Sequence, residues 1–222
     1  MVYQEFRGTL SHHLVEGWYE TSLTWKGNHP PLPTNRSGSI RRMRAQVTKL
    51  KRVSYLEECD AIIREQLEQG VVGGESHSPQ VVGREVYTPH RAVIREGTES
   101  TKLRIVYDCS ARAGQGLPSL NDCLDPGPPL QNKLWDVMVR GRFHPVAVTG
   151  DMRKAFLQVR IKEGGRDALR FRWLKSPTST EVETLRFTRT LFGLAPSPFL
   201  PGGVVEQHLE SWREREVSPE CE

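Results

Sequence analysis

The sequence has few of the features that place a chain outside the cell or in a membrane. Only four of its 222 residues are cysteines. They form neither a Cys-x-x-Cys pair nor a zinc-type spacing with histidine, so no disulfide framework and no zinc site is predicted. No run approaches the roughly 18 apolar residues of a membrane helix, and no apolar leader follows the first residues. We therefore expect an intracellular chain, cytoplasmic or nuclear, with no membrane partner.

Apolar residues are also scarce, at 36% of the chain, while 15 prolines and 19 glycines predict many turns and no long helical bundle. The net charge is +4, and 23 of the 31 basic residues are arginines. The planar guanidinium suits phosphate groups, so an anionic polymer or a nucleotide is compatible with this composition. Many proteins with so small an excess of positive charge bind neither.

Residues 145–161 contain the pattern that points most directly to chemistry. A short apolar run, residues 146–148, predicts a central strand that ends at Asp151. The alternation of Leu157, Val159 and Ile161 with polar residues predicts a second strand. A carboxylate at a strand end, with Phe156 close behind it, is what a divalent-metal phosphoryl-transfer site requires. A single aspartate that caps a turn is the alternative.

Residues 37–69 predict two helices, because apolar residues recur there at steps of three and four. Ser54 and Glu57 have the spacing of a capping box, and Gly70 is a predicted C-cap. No acidic residue lies between Glu20 and Glu57. The basic residues of this region include Arg41, Arg42, Arg44, Lys49 and Lys51. They could bind a nucleic-acid backbone by counterion release, or form the solvated face of an amphipathic helix.

Farther along, residues 86–95 and 103–108 predict an antiparallel hairpin, and residues 130–141 predict an amphipathic helix. Strands are predicted over 169–174 and 184–191. A last helix is expected over 199–212, with Ser197 as N-cap and Pro198 at the first position. Pro201 would lie inside this helix, at a cost of up to about 3 kcal/mol, so we expect a damaged or late-starting helix.

Three blocks, residues 102–110, 119–123 and 191–199, flank the Asp151 stretch. In this order and at these intervals they resemble the reverse transcriptase domain of retroelements, most closely the BEL/Pao class of long-terminal-repeat retrotransposons. The resemblance covers roughly residues 85–210 and, more loosely, residues 17–84. In the looser part, residues 19–26 and 29–33 are similar to a stretch between the protease and the polymerase of BEL/Pao polyproteins. No Asp-Thr-Gly or Asp-Ser-Gly protease signature is present.

The resemblance implies roles for individual residues. Asp151 would be the catalytic ligand of Mg²⁺ or Mn²⁺, and Phe156 the gate against a ribose 2′-hydroxyl. Arg104 would bind the triphosphate of a dNTP, with Lys102 as the nearest candidate for the accompanying lysine. Support of the RNA or DNA primer–template would fall to Phe192, Gly193 and Pro198. On the residues alone, Arg104 is an ordinary outward residue of an alternating strand.

The implied fold is α+β: part of a right-hand polymerase, with a fingers hairpin and the first half of a palm sheet, preceded by a helical arm. Residues 1–35 would be a Trp- and Pro-rich irregular linker and 36–84 the basic helical arm. Residues 85–212 would be the partial fingers and palm, and 213–222 a charged, disordered tail. The oligomeric state is left open.

The family's other catalytic carboxylates come from a Tyr-x-Asp-Asp hairpin, and this sequence contains no adjacent pair of aspartates. We therefore expect a fragment of an RNA-directed DNA polymerase that stops before this motif and is inactive alone. One alternative is a domesticated, non-enzymatic nucleic-acid-binding module. A further alternative is an unrelated α+β interaction domain.

Overall fold

The computed structural model describes residues 2–75, 85–94 and 103–217, with side chains to residue 214. It confirms a mixed α+β fold. The helices are α1 Val2–Thr9, α2 Arg36–Arg52, α3 Leu56–Glu68, α4 Leu120–Cys123, α5 Leu134–Gly141, α6 Glu163–Arg166 and α7 Phe199–Val217. The strands are β1 Ser11–His13, β2 Trp18–Thr21, β3 Val72–Gly74, β4 His90–Ile94, β5 Leu103–Tyr107, β6 Val159–Ile161, β7 Arg170–Leu174 and β8 Val182–Phe187. In the described ranges, no helix is long and apolar enough to cross a membrane.

The strands form three small sheets. Their orders are β1-β2-β6, β3-β8-β7 and β4-β5. The pair β2–β6 is parallel, and the other pairs within these sheets are antiparallel. The predicted hairpin is confirmed by β4–β5, in which Val93 lies opposite Arg104. The predicted strands near 169–174 and 184–191 are confirmed by β7 and β8.

The two predicted helices of residues 37–69 are confirmed as α2 and α3. Their apolar stripes enter the core through Met43 and Leu50 of α2 and through Cys59 and Ile63 of α3, all nearly inaccessible to solvent. These side chains belong to the same hydrophobic cluster as Trp173 of β7. The helical arm is therefore packed into the body of the protein.

Of the two predicted signals at the ends of α3, the terminating glycine is confirmed and the capping box is wrong. Gly70 follows the C-cap of α3 with φ of 63°, the left-handed conformation expected of a terminating glycine. The capping box is wrong, because Tyr55 is the N-cap of α3 and makes no side-chain cap hydrogen bond. Ser54 instead takes up the left-handed conformation, with φ of 56°, since the chain reverses there between α2 and α3.

The expectation of an irregular segment over residues 1–35 is wrong for its first part. Residues 2–21 contain α1, β1 and β2. Phe6 of α1 is buried, and its ring centroid lies 5.1 Å from that of Phe199 at the start of α7. The strands are three and four residues long, so their period is too short to recognise without the distant partner β6.

Helix α7 differs from the expected 199–212 helix at its C-terminal end. It continues to Val217, so the expected disordered tail is wrong for residues 213–217, and residues 218–222 lie outside the described part. Pro201 falls in the first turn, where backbone N–H groups have no intrahelical acceptor. Its missing N–H therefore costs little, and the expected damage is not seen.

Candidate functional site

Asn121 joins the three blocks that carry the family resemblance. Its side-chain nitrogen donates to the Ser110 hydroxyl at 2.9 Å and to the Gly193 carbonyl at 2.8 Å. Its side-chain oxygen accepts from the Ala195 N–H at 2.9 Å. One amide side chain therefore ties together segments that are 72 and 11 residues away in sequence. Asn121 lies within the block 119–123, but no role was predicted for it from the sequence.

The short helix α4 holds Asn121 in place through a capping box. The Ser119 hydroxyl accepts from the Asp122 N–H, and the Asp122 carboxylate accepts from the Ser119 N–H. The Asp122 carboxylate accepts hydrogen bonds from the Ser119 N–H and from the Ser119 hydroxyl, and these bonds, the backbone one most, lower the pKa of Asp122. The Ser-x-x-Asp spacing of Ser119 and Asp122 was the sequence signal that could have predicted this box. Asn121 lies between the two capping residues, so the box fixes its orientation.

Gly193 lies against the end of the hairpin. Its φ is +106°, and a Cβ atom at this position would lie 2.6 Å from the carbonyl oxygen of Tyr107. Both the backbone conformation and the space require glycine. The close approach that Gly193 allows is to the protein's own strand β5, and contact with a template stays a prediction.

Phe156 and Phe192, which were assigned separate roles, lie in contact. Their ring centroids are 4.3 Å apart, and Phe192 keeps 63% of its surface exposed. Phe156 belongs to a 3₁₀ turn, Ala155–Gln158. This turn is anchored by the Thr190 hydroxyl, which donates to the Phe156 carbonyl. The result is an aromatic pair at the surface beside the Gly193 turn.

Pro198 lies on a shallow groove near this turn. The cavity volume is about 210 Å³, and the lining includes residues 126–131, Ala195 and Phe199. The hydroxyl of the neighbouring Ser197 is buried and donates to the Leu191 carbonyl at 2.6 Å. The block 191–199 is thus a closely tied turn with one apolar groove, positioned before α7.

Arg104 is exposed on the outer face of the hairpin. It alternates with the inward-facing Leu103 and Ile105, as expected of a strand with one buried face. Lys102 lies outside the described residues. No hydrogen bond or ion pair joins Arg104 to Asp151 within the described ranges, so the structure does not bring the two predicted site residues together.

The Asp151 stretch differs most from its prediction. Residues 145–152 form no strand, and Asp151 is exposed. Val146 and Val148 keep 74% and 91% of their surfaces exposed. The physical reason is that no strand in the described part of the chain pairs with this run, so it has no sheet to join. Of the second predicted strand only residues 159–161 are confirmed, as β6, because residues 155–158 form the 3₁₀ turn.

The residues around Asp151 do not fit a metal centre. A two-metal site needs several carboxylates held together so that cations about 4 Å apart share them. Across residues 2–75, 85–94 and 103–217, no group of three or more His, Cys, Asp or Glu side chains could hold a metal ion. Among these residues Asp151 belongs to no such group, and whether the chain binds Mg²⁺ or Mn²⁺ stays a prediction.

The predicted basic residues of α2 lie on its solvent side. Arg41, Arg42, Arg44, Lys49 and Lys51 are exposed. Arg42 forms an ion pair at 2.8 Å with Asp108, which directly follows strand β5 of the hairpin. Both interpretations of this face, a nucleic-acid contact and a solvated surface, agree with this arrangement.

No protein-family model matches the sequence, and no curated protein matches it.

A cluster of buried charges that was not predicted from the sequence lies at the β3-β8-β7 sheet. The Arg170 side chain is fully buried and contacts Asp167 at 2.9 Å and Glu75 at 2.8 Å. Arg186 also reaches Asp167, at 3.3 Å. The sequence signal for this cluster was the presence of arginine among the apolar residues of β7. Because each cation has a carboxylate partner, we interpret this cluster as structural.

Proposed function

We propose that the chain is a fingers-and-palm fragment of an RNA-directed DNA polymerase of the BEL/Pao type, which binds primer–template but does not add nucleotides by itself. The observation that carries this proposal is the junction at Asn121. Blocks matched to the family on sequence alone converge there in space. Unrelated blocks that matched by chance would have no reason to meet at one side chain.

The lack of nucleotide addition follows from the surroundings of Asp151. Nucleotidyl transfer by two metals needs partner carboxylates on neighbouring rigid elements. Asp151 lies on an exposed, irregular segment, and no described cluster of ligands includes it. The sequence also contains no Asp-Asp pair. We therefore assign no polymerase activity to the chain alone.

Binding of a primer–template is supported by two surfaces. The exposed ring of Phe192, backed by Phe156, offers a face on which a base can stack. The cations of α2 offer contacts to phosphates. Base–aromatic stacking contributes about 1 to 3 kcal/mol per base, so the ring should affect affinity measurably.

The proposal is tested by fluorescence anisotropy with a labelled RNA–DNA primer–template at several salt concentrations. We expect affinity to fall steeply with salt. Phe192→Ala should weaken binding by about 5- to 100-fold. Phe143→Ala is the matched control, because Phe143 is 81% exposed but lies outside the junction. Equal affinities for the two variants would contradict the proposal.

A primer-extension assay with Mg²⁺ and Mn²⁺ tests the lack of catalysis. We expect no incorporation by the wild-type chain. Incorporation that disappears in Asp151→Ala would mean that carboxylates outside the described residues complete the site, and the chain would then be an active polymerase.

The exposed cations of α2 favour a second candidate, a domesticated nucleic-acid-binding module. In that case binding should depend on charge and not on the primer–template junction. Arg41→Gln with Arg44→Gln would then abolish binding, while Phe192→Ala would leave it unchanged.

A further inference from the structure

Two arginines lie side by side on the edge of the β1-β2-β6 sheet. Arg160 of β6 and Arg189, just after β8, are partners in an isolated antiparallel bridge. Residues directly opposite in such a pair have Cβ atoms about 5 Å apart and point to the same face. The two guanidinium groups therefore share one side of the sheet.

Trp18 of β2 holds Arg160 in place. The guanidinium carbon of Arg160 lies 3.9 Å from the centre of the Trp18 ring. The ring of His13 is stacked on Trp18 as well, with centroids 3.4 Å apart. Stacking fixes the plane of the guanidinium and leaves the N–H groups at its edge available.

A backbone carbonyl group holds the Arg189 side chain in place. Its Nη1 donates to the Leu157 carbonyl at 2.9 Å. The Nε atoms of both Arg160 and Arg189 are buried, and neither has a hydrogen-bond partner. Buried polar groups are nearly always hydrogen-bonded, so two orphaned donors at one place require an explanation.

Among the described residues, no carboxylate forms an ion pair with Arg160 or Arg189. Other arginines form ion pairs in the described ranges: Arg7, Arg42, Arg64, Arg112, Arg166, Arg170 and Arg186. Glu20, opposite Arg160 in β2, is paired with Arg166 at 3.1 Å. Glu16 accepts from the Trp18 indole N–H. Burial and the charge of Arg160 lower the pKa of Arg189.

We propose that Arg160 and Arg189 form a binding site for a phosphate group. Two guanidinium groups offer several N–H donors in fixed planes, and tetrahedral oxyanions accept such bonds in pairs. A bound dianion would accept from the terminal Nη groups of the two side chains and offset the repulsion of the cations. A nucleobase does not fit, because His13 and Arg160 lie against the Trp18 ring.

The site goes beyond the function proposed above, because inorganic phosphate alone tests it. The ligand is either free phosphate or the phosphodiester of a nucleic acid. Both present the same oxygens, so the experiment has one arm for each source.

The first arm is a titration of the purified, isotope-labelled chain with sodium phosphate at constant ionic strength, followed by the Nε–H signals of arginine in ¹H–¹⁵N spectra. We expect two Nε–H signals to shift and saturate. Arg160→Gln and Arg189→Gln should each abolish the saturable response, while Arg140→Gln, an exposed arginine of α5, should retain it. Circular dichroism verifies folding, and Arg189→Lys supplies a milder variant should the glutamine variant unfold.

The second arm measures the affinity of the same variants for the labelled primer–template. A phosphodiester ligand predicts weaker binding by Arg189→Gln than by Arg140→Gln, with a salt slope lower by about one. Unchanged affinity, with phosphate shifts intact, would identify free phosphate as the ligand. The proposal is overturned if phosphate produces no saturable shift, or if the shift persists in both glutamine variants.

Discussion

The junction around Asn121 rests on buried leucines, whereas the segment from Leu134 to Met152 leaves its apolar side chains in solvent. At the junction, Leu120, Leu191 and Leu194 keep less than 5% of their surfaces exposed. The exposed segment includes large apolar residues that each keep half or more of their surface exposed: Leu134, Trp135, Val137, Met138, Phe143, Val146, Val148 and Met152. Both regions read as apolar in sequence. The difference shows that an apolar run becomes a strand or a core helix only where a partner surface lies within reach.

The difference in burial between the two regions is also a difference in stabilisation. Full burial of a Val, Leu, Phe or Met side chain contributes about 1.5 to 3 kcal/mol. The segment gains little of this, so its conformation depends on local preferences alone.

Hydrogen exchange should separate the two regions most clearly. The amides of residues 146–150 donate no described backbone hydrogen bond, whereas those of β7 and β8 are paired in a sheet. We expect exchange in β7 to be at least about 1000-fold slower, because its amides open only with most of the structure. Mass spectrometry of the native protein measures this. Comparable protection of residues 146–150 would mean that they pair with a strand after all.

Replacement of glycine by alanine should be strongly destabilising at the junction and nearly neutral in the exposed segment. Gly193→Ala would place a methyl group 2.6 Å from the Tyr107 carbonyl oxygen at a φ of +106°. We expect the free energy of unfolding to fall by about 3 to 5 kcal/mol. Gly150→Ala meets no atom within 4 Å and should change it by less than about 1 kcal/mol. Urea denaturation gives both values, and equal losses would remove the distinction between the regions.

A pH series should separate two histidines. Burial among aromatic rings, together with the charge of Arg42, lowers the pKa of His90 to about 4. In the unfolded chain it is about 6.5. Between these values the unfolded chain binds a proton that the folded one does not, so acidification from pH 6.5 to 4 should lower the free energy of unfolding by about 3 kcal/mol.

Below pH 4 His90 contributes no further loss, since both states then bind the proton. Denaturation of His90→Phe across this range should show a curve flatter by that amount. The exposed His144 is the control, and His144→Gln should follow the wild-type curve. A slope unchanged by His90→Phe would show that other groups cause the pH dependence.

Asn121→Ala tests the junction itself. It removes three hydrogen bonds and leaves the Gly193 carbonyl and the Ala195 N–H without this partner. We expect a loss of about 2 kcal/mol in the free energy of unfolding. Asn132→Ala, in an exposed loop, should be neutral within about 0.5 kcal/mol. If thermal and urea denaturation do not distinguish the two variants, Asn121 does not hold the blocks together.

The elements that sequence predicted correctly are those specified by their own residues. Helices α2 and α3 repeat apolar residues every three or four positions, and the hairpin β4–β5 alternates across a short connection. The errors lie where a distant segment decides. Residues 146–148 have the composition of a central strand but no partner among the described strands, and the four-residue β2 lies between β1 and the distant β6.

The candidate site follows the same division. The positions of Phe192, Gly193 and Pro198 within one turn were predictable from their spacing. The contact of Phe156 with Phe192, the hydrogen bond of Asn121 to Gly193 and the pairing of Arg160 with Arg189 each join residues at least 29 positions apart. No local period encodes such contacts, so only the folded structure shows them.

The parallel pairing of β2 with β6 also sets an order of events during synthesis. Tyr19 lies opposite Val159, so about 140 residues must be made between the two. At about 5 to 20 residues per second, that interval lasts roughly 7 to 28 s. For that time the nascent β2 has an open edge, since β1 covers only its other side. Chaperone binding or premature pairing between neighbouring nascent chains would act on this strand before β6 exists.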